Sequence, residues 1–405
     1  MEDRTAVLAM ADRRESESEP VPDATVWVAR LALSNFRCYA KAEIEADGRP
    51  VVLTGPNGAG KTNLLEALSF LAPGRGLRSA RLGAVDRRPS GAEVSAGPWA
   101  VAARLVSPAG AVAIGTGREA VPGEERRERR VLRIDAIAVN GQSALADLLA
   151  VIWLTPQMDR LLQEGASGRR RFLDRLVFAF DPAHAARVAT YEHTWRERHQ
   201  LIEERGAAAD PAWLTVLEQR LAEIGVAIAA ARREAVQRLN RVAAAPGPFP
   251  RPELALDGVV EAWLEEAPAL AVEERLRTAL AAARSSAGPP APGPHRSDLR
   301  VAHGQRGVPA EQASTGEQKA LLVALVLAHA RLIASERGAP PVLLLDEIVA
   351  HLDGERRRHL FDALLGLGAQ AWMTGTDEAL FRPLGGAAQY FRIKDAAIVA
   401  VGSVR

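Results

Sequence analysis

The stretch Gly55-Pro-Asn-Gly-Ala-Gly-Lys-Thr62 sets a lysine and a threonine behind a run of small, turn-forming residues. The spacing G-x-x-x-x-G-K-T is that of a phosphate cradle. Gly55, Gly58 and Gly60 let the backbone turn tightly. The loop through Pro56, Asn57 and Ala59 can then aim its N–H groups at an anion. Lys61 is placed to reach the β- and γ-phosphates of a nucleotide, and Thr62 to hold Mg²⁺. A second constellation closes the apolar run Val342-Leu-Leu-Leu345 with Asp346-Glu347. There Asp346 can support Mg²⁺ and Glu347 can polarise an attacking water as general base. A third is Ser314-Thr-Gly-Glu-Gln-Lys319. Ser314 and Gly316 at a helix N-terminus make an anion site. Taken alone, Ser314 followed by Glu317 is an ordinary capping box. The chemistry open to the three together is nucleotide hydrolysis.

Each constellation needs an element to hold it. Val51-Val-Leu-Thr54 reads as a strand and Asn63–Leu71 as a helix, giving strand, loop, helix around the cradle. Pro341–Asp346 reads as a fully buried strand. Ser314–Ser335 reads as a long helix, 354–365 as another and Ala371–Thr374 as a strand. Two short strands close the chain near Tyr390–Ile393 and Ile398–Val401. Upstream, 26–33 and 40–46 read as strands joined by the turn region Ser34–Tyr39. Segments 99–106, 111–116 and 131–139 read as an antiparallel sheet, with Asn140-Gly141 a strong turn signal. Val151–Thr155 is an apolar strand stopped by Pro156. From Gln157 to about residue 286 the helical period dominates. Leu214, Leu217, Leu221, Ile224 and Ile228 share one helix face.

The chain has 405 residues, 48% hydrophobic and 25% charged, within the range of soluble globular proteins. No apolar run looks long enough to span a bilayer. Residues 1–22 are polar and acidic, without the pattern of a secretory signal, and read as a disordered tail or an overlong start. The single cysteine, Cys38, excludes an intrachain disulfide, and cytosolic is the simplest location. Net charge is +1, so bulk electrostatics do not announce a nucleic-acid binder. Only four lysines occur, and Lys61 and Lys319 both sit inside the constellations above.

The order of cradle, Ser-x-Gly-Glu-Gln-Lys, apolar strand with Asp-Glu, then Ala350-His-Leu-Asp353, resembles ABC-type ATPases. Within that superfamily the chain resembles the RecF family of bacterial recombination mediators and gap-repair ATPases. The segments that carry this are Leu31–Tyr39, Gly55–Leu71, Gly74–Arg81, Arg169–Asp174, Gly293–Asp298 and Ser314–Leu322. The resemblance implies an α/β fold: an ABC-type P-loop ATPase head with a mixed sheet, plus an inserted helical lobe. The expected divisions are 1–23 tail, 24–155 head, 156–290 helical lobe and 291–405 head. It also implies ATP and Mg²⁺ as cofactors, and an ATP-dependent homodimer in which Ser314 and Gly316 act in trans and Asp353 lies in the D-loop. Gln157 would be the residue touching Mg²⁺ and water, with Asp159 a nearby substitute. Thr374-Gly-Thr-Asp377 stands where transporter ATPases carry a histidine.

RecF-like activity implies double-stranded DNA bound near single-stranded gaps, RecR as partner, no membrane, and weak DNA-dependent ATP hydrolysis used as a switch. Candidate DNA-phosphate contacts are Arg75, Arg78 and Arg81 in a basic loop, with Arg169, Arg170 and Arg171. Arg126–Arg130, mixed with Glu124 and Glu125, reads as a solvated hairpin face. Arg37 and the His295-Arg296 pair are expected near the nucleotide site and the dimer face. Two other readings stay open: a transporter energising subunit, and an SMC-like head that binds a protein rather than DNA.

Overall fold

The computed structural model describes residues 25–89, 91, 95–120, 128–284 and 290–401; the acidic N-terminal segment expected to form a tail, and Glu124–Arg127 of the expected hairpin face, lie outside them. In chain order the elements are β1 (Trp27–Phe36), β2 (Tyr39–Glu45), β3 (Val51–Thr54), α1 (Lys61–Ser69), β4 (Ala100–Ser107), β5 (Gly110–Ala120), β6 (Glu128–Ile134), β7 (Ile137–Val139), α2 (Ser143–Leu148) and β8 (Val151–Leu154). Then come α3 (Ala166–Phe178), α4 (His184–Arg205), α5 (Pro211–Ala243), β9 (Pro252–Asp257), α6 (Val259–Glu266), α7 (Ala269–Ala282), β10 (Asp298–His303) and β11 (Val308–Pro309). The chain closes with α8 (Thr315–Arg337), β12 (Val342–Leu345), α9 (Gly354–Leu367), β13 (Ala371–Gly375), β14 (Gln389–Lys394) and β15 (Ala397–Val401).

The chain divides into two compact units, Met1–Met158 with Ala330–Arg405, and Asp159–His329. In the first, one sheet runs β2-β1-β4-β5-β6-β7 and is antiparallel throughout. A second runs β15-β14-β3-β13-β12-β8, parallel except for the terminal β14–β15 hairpin. Helix α1 shares one core with both sheets: Leu64, Leu65 and Leu68 lie with Leu31 and Trp99 of the antiparallel side and with Leu53 and Trp372 of the parallel side. Phe36, Phe70 and Trp99 meet edge-on or tilted there, with centroids 4.7–6.0 Å apart. The strands β3, β12 and β13 are buried on both faces, which explains their unbroken apolar runs.

Several local expectations shift. β1 continues to Phe36, which pairs with Tyr39, so the first turn is only Arg37-Cys38. The segment 131–139 is two strands folded at Asp135-Ala136, both with positive φ (47° and 64°), and Asn140-Gly141 falls after that hairpin. Helix α8 is long and apolar enough to cross a membrane by length and composition, contrary to the sequence expectation, yet most of it is buried inside the protein, as in a core helix.

The second unit is not purely helical. Pro252–Asp257 alternates buried and exposed residues as β9 and pairs antiparallel with β10, so 298–303 joins this unit rather than the head assigned to it. Leu214, Leu217, Leu221 and Ile228 are buried on α5, with Ile224 half-buried. Beneath that face Asp174 accepts from Arg232 Nε and Nη2, both at 2.8 Å, and meets His184 Nε2 at 2.8 Å. Burial pushes this carboxyl up; the His184 and Arg232 hydrogen bonds overcome that and hold it below the ordinary carboxylate value.

Arg232→Met leaves that acid without its fork, and the urea midpoint at neutral pH should fall by the equivalent of about 3 kcal/mol. Because the folded pKa of Asp174 is depressed, its contribution is full above the unfolded value of about 3.9 and disappears as pH falls through the folded value. The stability gap between wild type and Asp174→Asn should therefore shrink as urea curves are taken from about pH 5 toward about pH 3. A gap that stays constant over that range would contradict the assignment.

Candidate functional site

β3 ends at Thr54 and the chain enters the glycine loop. Gly55 adopts φ 146°, and a Cβ there would lie 2.1 Å from the Ile393 carbonyl oxygen. Gly60, at φ 114°, would put a Cβ 2.5 Å from the Tyr39 hydroxyl, which itself donates to Gly60 O at 3.1 Å. Glycine is required at both positions by backbone conformation and by close approach. Gly58 faces open space, and Pro56 and Asn57 are exposed at the loop tip, while Ala59 is buried. Lys61 begins α1 and is 4% exposed. Its Nζ donates to Gly55 O at 2.7 Å and Pro56 O at 2.9 Å. Burial lowers its pKa, with Glu347 and Asp346 pulling the other way. Among the described residues it has no carboxylate partner in an ion pair, so a buried cation faces neutral carbonyls and has room in its interactions for an anion.

The next residue makes the central contact. Thr62 Oγ1 donates to Asp346 Oδ1 at 2.9 Å and Oδ2 at 3.1 Å. Thr374, fully buried at the end of β13, donates to the same Oδ1 at 2.8 Å. The Thr374 hydroxyl also accepts from the Glu347 backbone N–H at 2.8 Å. Sequence reasoning noted Thr374 only as the replacement for a histidine; the signal for its role is a hydroxyl residue ending a strand that lies between the strands of the two other motifs. Glu347 sits half-buried at φ 54°, a left-handed conformation uncommon for a non-glycine residue. Gln157 is exposed on the short turn Pro156–Arg160 that follows β8.

The Ser314 segment forms a reciprocal cap. Ser314 N and Oγ both donate to Glu317 Oε2 at 2.9 Å, and Glu317 N donates back to Ser314 Oγ at 3.3 Å. Those Ser314 bonds, assisted by Arg306, hold the Glu317 carboxyl down at about 2. Ser314 and Gly316 are exposed at the N-terminus of α8. Lys319 Nζ pairs with Asp159 Oδ2 at 2.6 Å, so Asp159 is engaged in an ion pair rather than standing in for Gln157. Asp353 caps α9, accepting from Glu355 N at 3.1 Å and Arg356 N at 2.8 Å.

The RecF/RecN/SMC N terminal domain family matches residues 27–384. The DNA replication and repair protein RecF of Rhizobium leguminosarum bv. trifolii (strain WSM2304) is 47% identical over 379 residues, covering 92% of this chain and 98% of that protein. RecF of Mesorhizobium japonicum is 48% identical over 376 residues, covering 91% and 97%. This chain belongs to the RecF family. The fold agrees: a solved structure of the recombination mediator protein RecF-ATPrS in the RecFOR pathway superposes with a TM-score of 0.76 at 21% identity, covering 93% of this chain and 99% of that one. The α/β head with a mixed sheet is thus the RecF-family ATPase-head fold.

The arginines expected on DNA in this RecF-family chain divide sharply. Arg169 is 8% exposed and forks onto Asp298 at 2.7 and 2.8 Å, so it is a buried structural cation and not a DNA contact. Arg170 is half-buried with Nη1 on Ser297 O at 2.8 Å. Arg78 spends its guanidinium on Glu66 at 3.2 Å and Asn63 at 3.1 Å. Arg75, Arg81 and Arg171 are exposed. Arg37, expected beside the nucleotide, instead forks onto Glu66 at 2.8 and 2.5 Å and donates to Ala84 O. His295 meets Tyr191 OH at 2.8 Å and stacks on that ring, with Trp195 tilted against it at a centroid distance of 3.9 Å, inside the second unit's own packing. Arg130 is not part of a solvated face: it donates to Thr116, Gly74 and Gln142. Glu66 is not among the residues the motifs single out, although an acid within Leu64-Leu-Glu-Ala-Leu68 is a signal of a buried polar partner.

Gly60→Ala drives a Cβ into the Tyr39 hydroxyl at a strained φ and should cost about 2 kcal/mol of stability. Adding Tyr39→Phe removes the oxygen and should recover part of that loss in thermal melts; no recovery would place the strain in the backbone and in the remaining contacts with Tyr39 Cζ and Cys38 Sγ, each 2.9 Å from that Cβ.

Proposed function

We propose that this chain is an ATP-operated clasp on DNA, acting in recombinational repair and replication-fork maintenance. The carrying observation is the meeting of Thr62 and Thr374 on one carboxylate, Asp346, directly behind a glycine loop that holds a buried lysine. The donor set suits Mg²⁺: a threonine hydroxyl and a carboxylate are hard oxygen ligands, with the remaining positions left to phosphate oxygens and water. Among the described residues no cluster of three or more His, Cys, Asp or Glu offers a rival metal cage. The glycine loop, Lys61 and the N-terminus of α1 would hold the phosphates of ATP. Bound Mg²⁺ would neutralise charge on the phosphates as the terminal one departs.

Glu347 would accept the proton of the attacking water, and Thr374 fixes where that glutamate's backbone starts. Gln157 would complete the water's surroundings. Ser314 and Gly316 of a second copy would close over the terminal phosphate, with Asp353 near the same junction, so that ATP joins two heads into a homodimer. Glu317 occupies Ser314 in the single chain, so that closure trades an intrachain cap for a phosphate contact. The names of the RecF relatives support DNA as the partner, and the RecFOR pathway named for a RecF structure supports RecR. Duplex DNA beside single-stranded gaps, loading of recombinase there, and slow hydrolysis for release complete this reading. Arg75, Arg81 and Arg171 are the exposed arginines best suited to a phosphate backbone.

Hydrolysis measured with gapped, duplex and single-stranded DNA at increasing salt tests this directly. Stimulation should be greatest on gapped duplex and fall with salt; binding without salt dependence would favour a head that takes a protein partner. Glu347→Gln should hold an ATP-dependent dimer on DNA, while Lys61→Ala loses nucleotide and Ser314→Arg binds ATP yet stays monomeric. Thr374→Val should lower turnover by about tenfold with ATP affinity little changed; full turnover in that variant would remove Thr374 from the mechanism.

A further inference from the structure

Arg130, on β6, is a cation with no carboxylate partner among the described residues. Its Nε donates to Thr116 Oγ1 at 2.9 Å, and its Nη1 to Gly74 O at 2.8 Å and to Gln142 Oε1 at 2.9 Å. Its Nη2 donates to Phe70 O, and its Nη1 reaches Ala72 O at 3.4 Å. Cζ lies 5.1 Å from the centroid of the Phe70 ring. Burial lowers its pKa to about 10, which still leaves it charged at neutral pH. A carboxylate is the usual partner for an enclosed guanidinium. Here the compensating charge is the partial negative end of α1, whose C-cap is Phe70.

The same guanidinium takes hold of the basic loop. Gly74, at φ 107°, is gripped on both sides: its N–H donates to Gln142 Oε1 at 2.8 Å, and its carbonyl accepts from Arg130. Arg130, Gly74 and Gln142 therefore close a small ring of hydrogen bonds. Further along, Leu77 N donates to Ser69 Oγ at 2.7 Å, and Gly76 packs so tightly on Phe70 that a Cβ would lie 2.9 Å from its ring. Arg78 then reaches Glu66 and Asn63. Asn63, Glu66 and Phe70 are spaced three and four apart and so share one face of the same helix. The loop that carries Arg75 and Arg81 is thus laid along the helix that carries Lys61 and Thr62, and Arg130 fixes the far end of both.

We infer that Arg130 is a positioning residue that links phosphate binding at the Gly74–Arg81 loop to phosphate binding at Lys61 and Thr62, through the end of α1. This rests on the reading of the chain as an ATP-dependent DNA binder. If either phosphate contact shifts the helix along its axis, the ring at Gly74 carries the shift to the other. Linkage then requires DNA to alter nucleotide affinity by the same factor as nucleotide alters DNA affinity.

The experiment measures dissociation constants for a duplex oligonucleotide by fluorescence anisotropy, with and without ATPγS. Wild type should bind about tenfold tighter with ATPγS. A wild-type ratio of one would defeat the ATP-dependent DNA reading and this inference with it. Arg130→Gln should bring the ratio below about twofold while ATPγS affinity stays within about threefold of wild type. Arg130→Lys, which keeps a cation at the helix end, should recover part of the ratio. A folded Arg130→Gln protein with the wild-type ratio would overturn the role of Arg130 and leave the broader reading intact. Should Arg130→Gln fail to fold by circular dichroism, Gln142→Leu opens the ring while leaving the cation in place. A reduced ratio there supports the link, and an unchanged one overturns it.

Discussion

Everything in the candidate site depends on two hydroxyls sharing one carboxylate. In the parallel sheet β13 lies between β3 and β12. The chain leaving β3 must therefore reach past the end of β13 to meet the acid that ends β12, a span of roughly two strand spacings, about 10 Å. Thr374, at the end of that middle strand, fills the interval, and Thr62 arrives from the first turn of α1. The register makes this possible: Leu345 pairs with Met373, so Asp346 and Thr374 follow side by side. A one-residue slip would turn Thr374 away and leave a buried carboxylate short of donors.

A second theme is how the arginines are used. In a chain with four lysines, arginine does the work of internal joints as well as surface charge. Arg169 on Asp298 and Arg232 on Asp174 are carboxylate forks within the inserted unit, and Arg198 joins the Glu218 carboxylate through Nε and the Leu280 carbonyl through Nη2. Arg37 and Arg78 converge on Glu66 beneath the nucleotide loop. The planar fork suits such enclosed pairs better than an ammonium does. Counting arginines therefore overstates the surface available to a polyanion, and the exposed Arg75, Arg81 and Arg171 are a better guide.

What could be read from the sequence follows from range. The glycine loop, the Asp346-Glu347 strand end and the Ser314 helix start are local patterns, because each needs only a few neighbouring residues to define its shape. The long face of α5 was likewise visible in its spacing. β9 was hidden by a helical composition on either side, and only its pairing with β10 makes it a strand. The hairpins at Asp135-Ala136 and Asp395-Ala396 use the same dipeptide at positive φ, without the glycine that usually announces such a turn; the flanking pairs Ile134–Ile137 and Lys394–Ala397 impose it. Burial of Arg169 and enclosure of Arg130 could not be foreseen, since their partners come from distant segments.

The crowding of Gly55 against Ile393 bears on the order in which the protein can be made. Val51 pairs with Trp372 on one side and Gln389 on the other, and the loop's first glycine is packed on the final hairpin. A ribosome therefore delivers the nucleotide loop first, but the walls that shape it emerge only after the whole intervening unit. Meanwhile the intervening unit, with its own apolar cluster, can condense first. Until β13 and β14 follow, the nascent chain carries the loop in an unfinished sheet, with the sides of β3 still unpaired. Folding to a nucleotide-competent state is thus gated by the arrival of β13 and β14, and loss of the β14–β15 hairpin should be felt at the distant glycine loop.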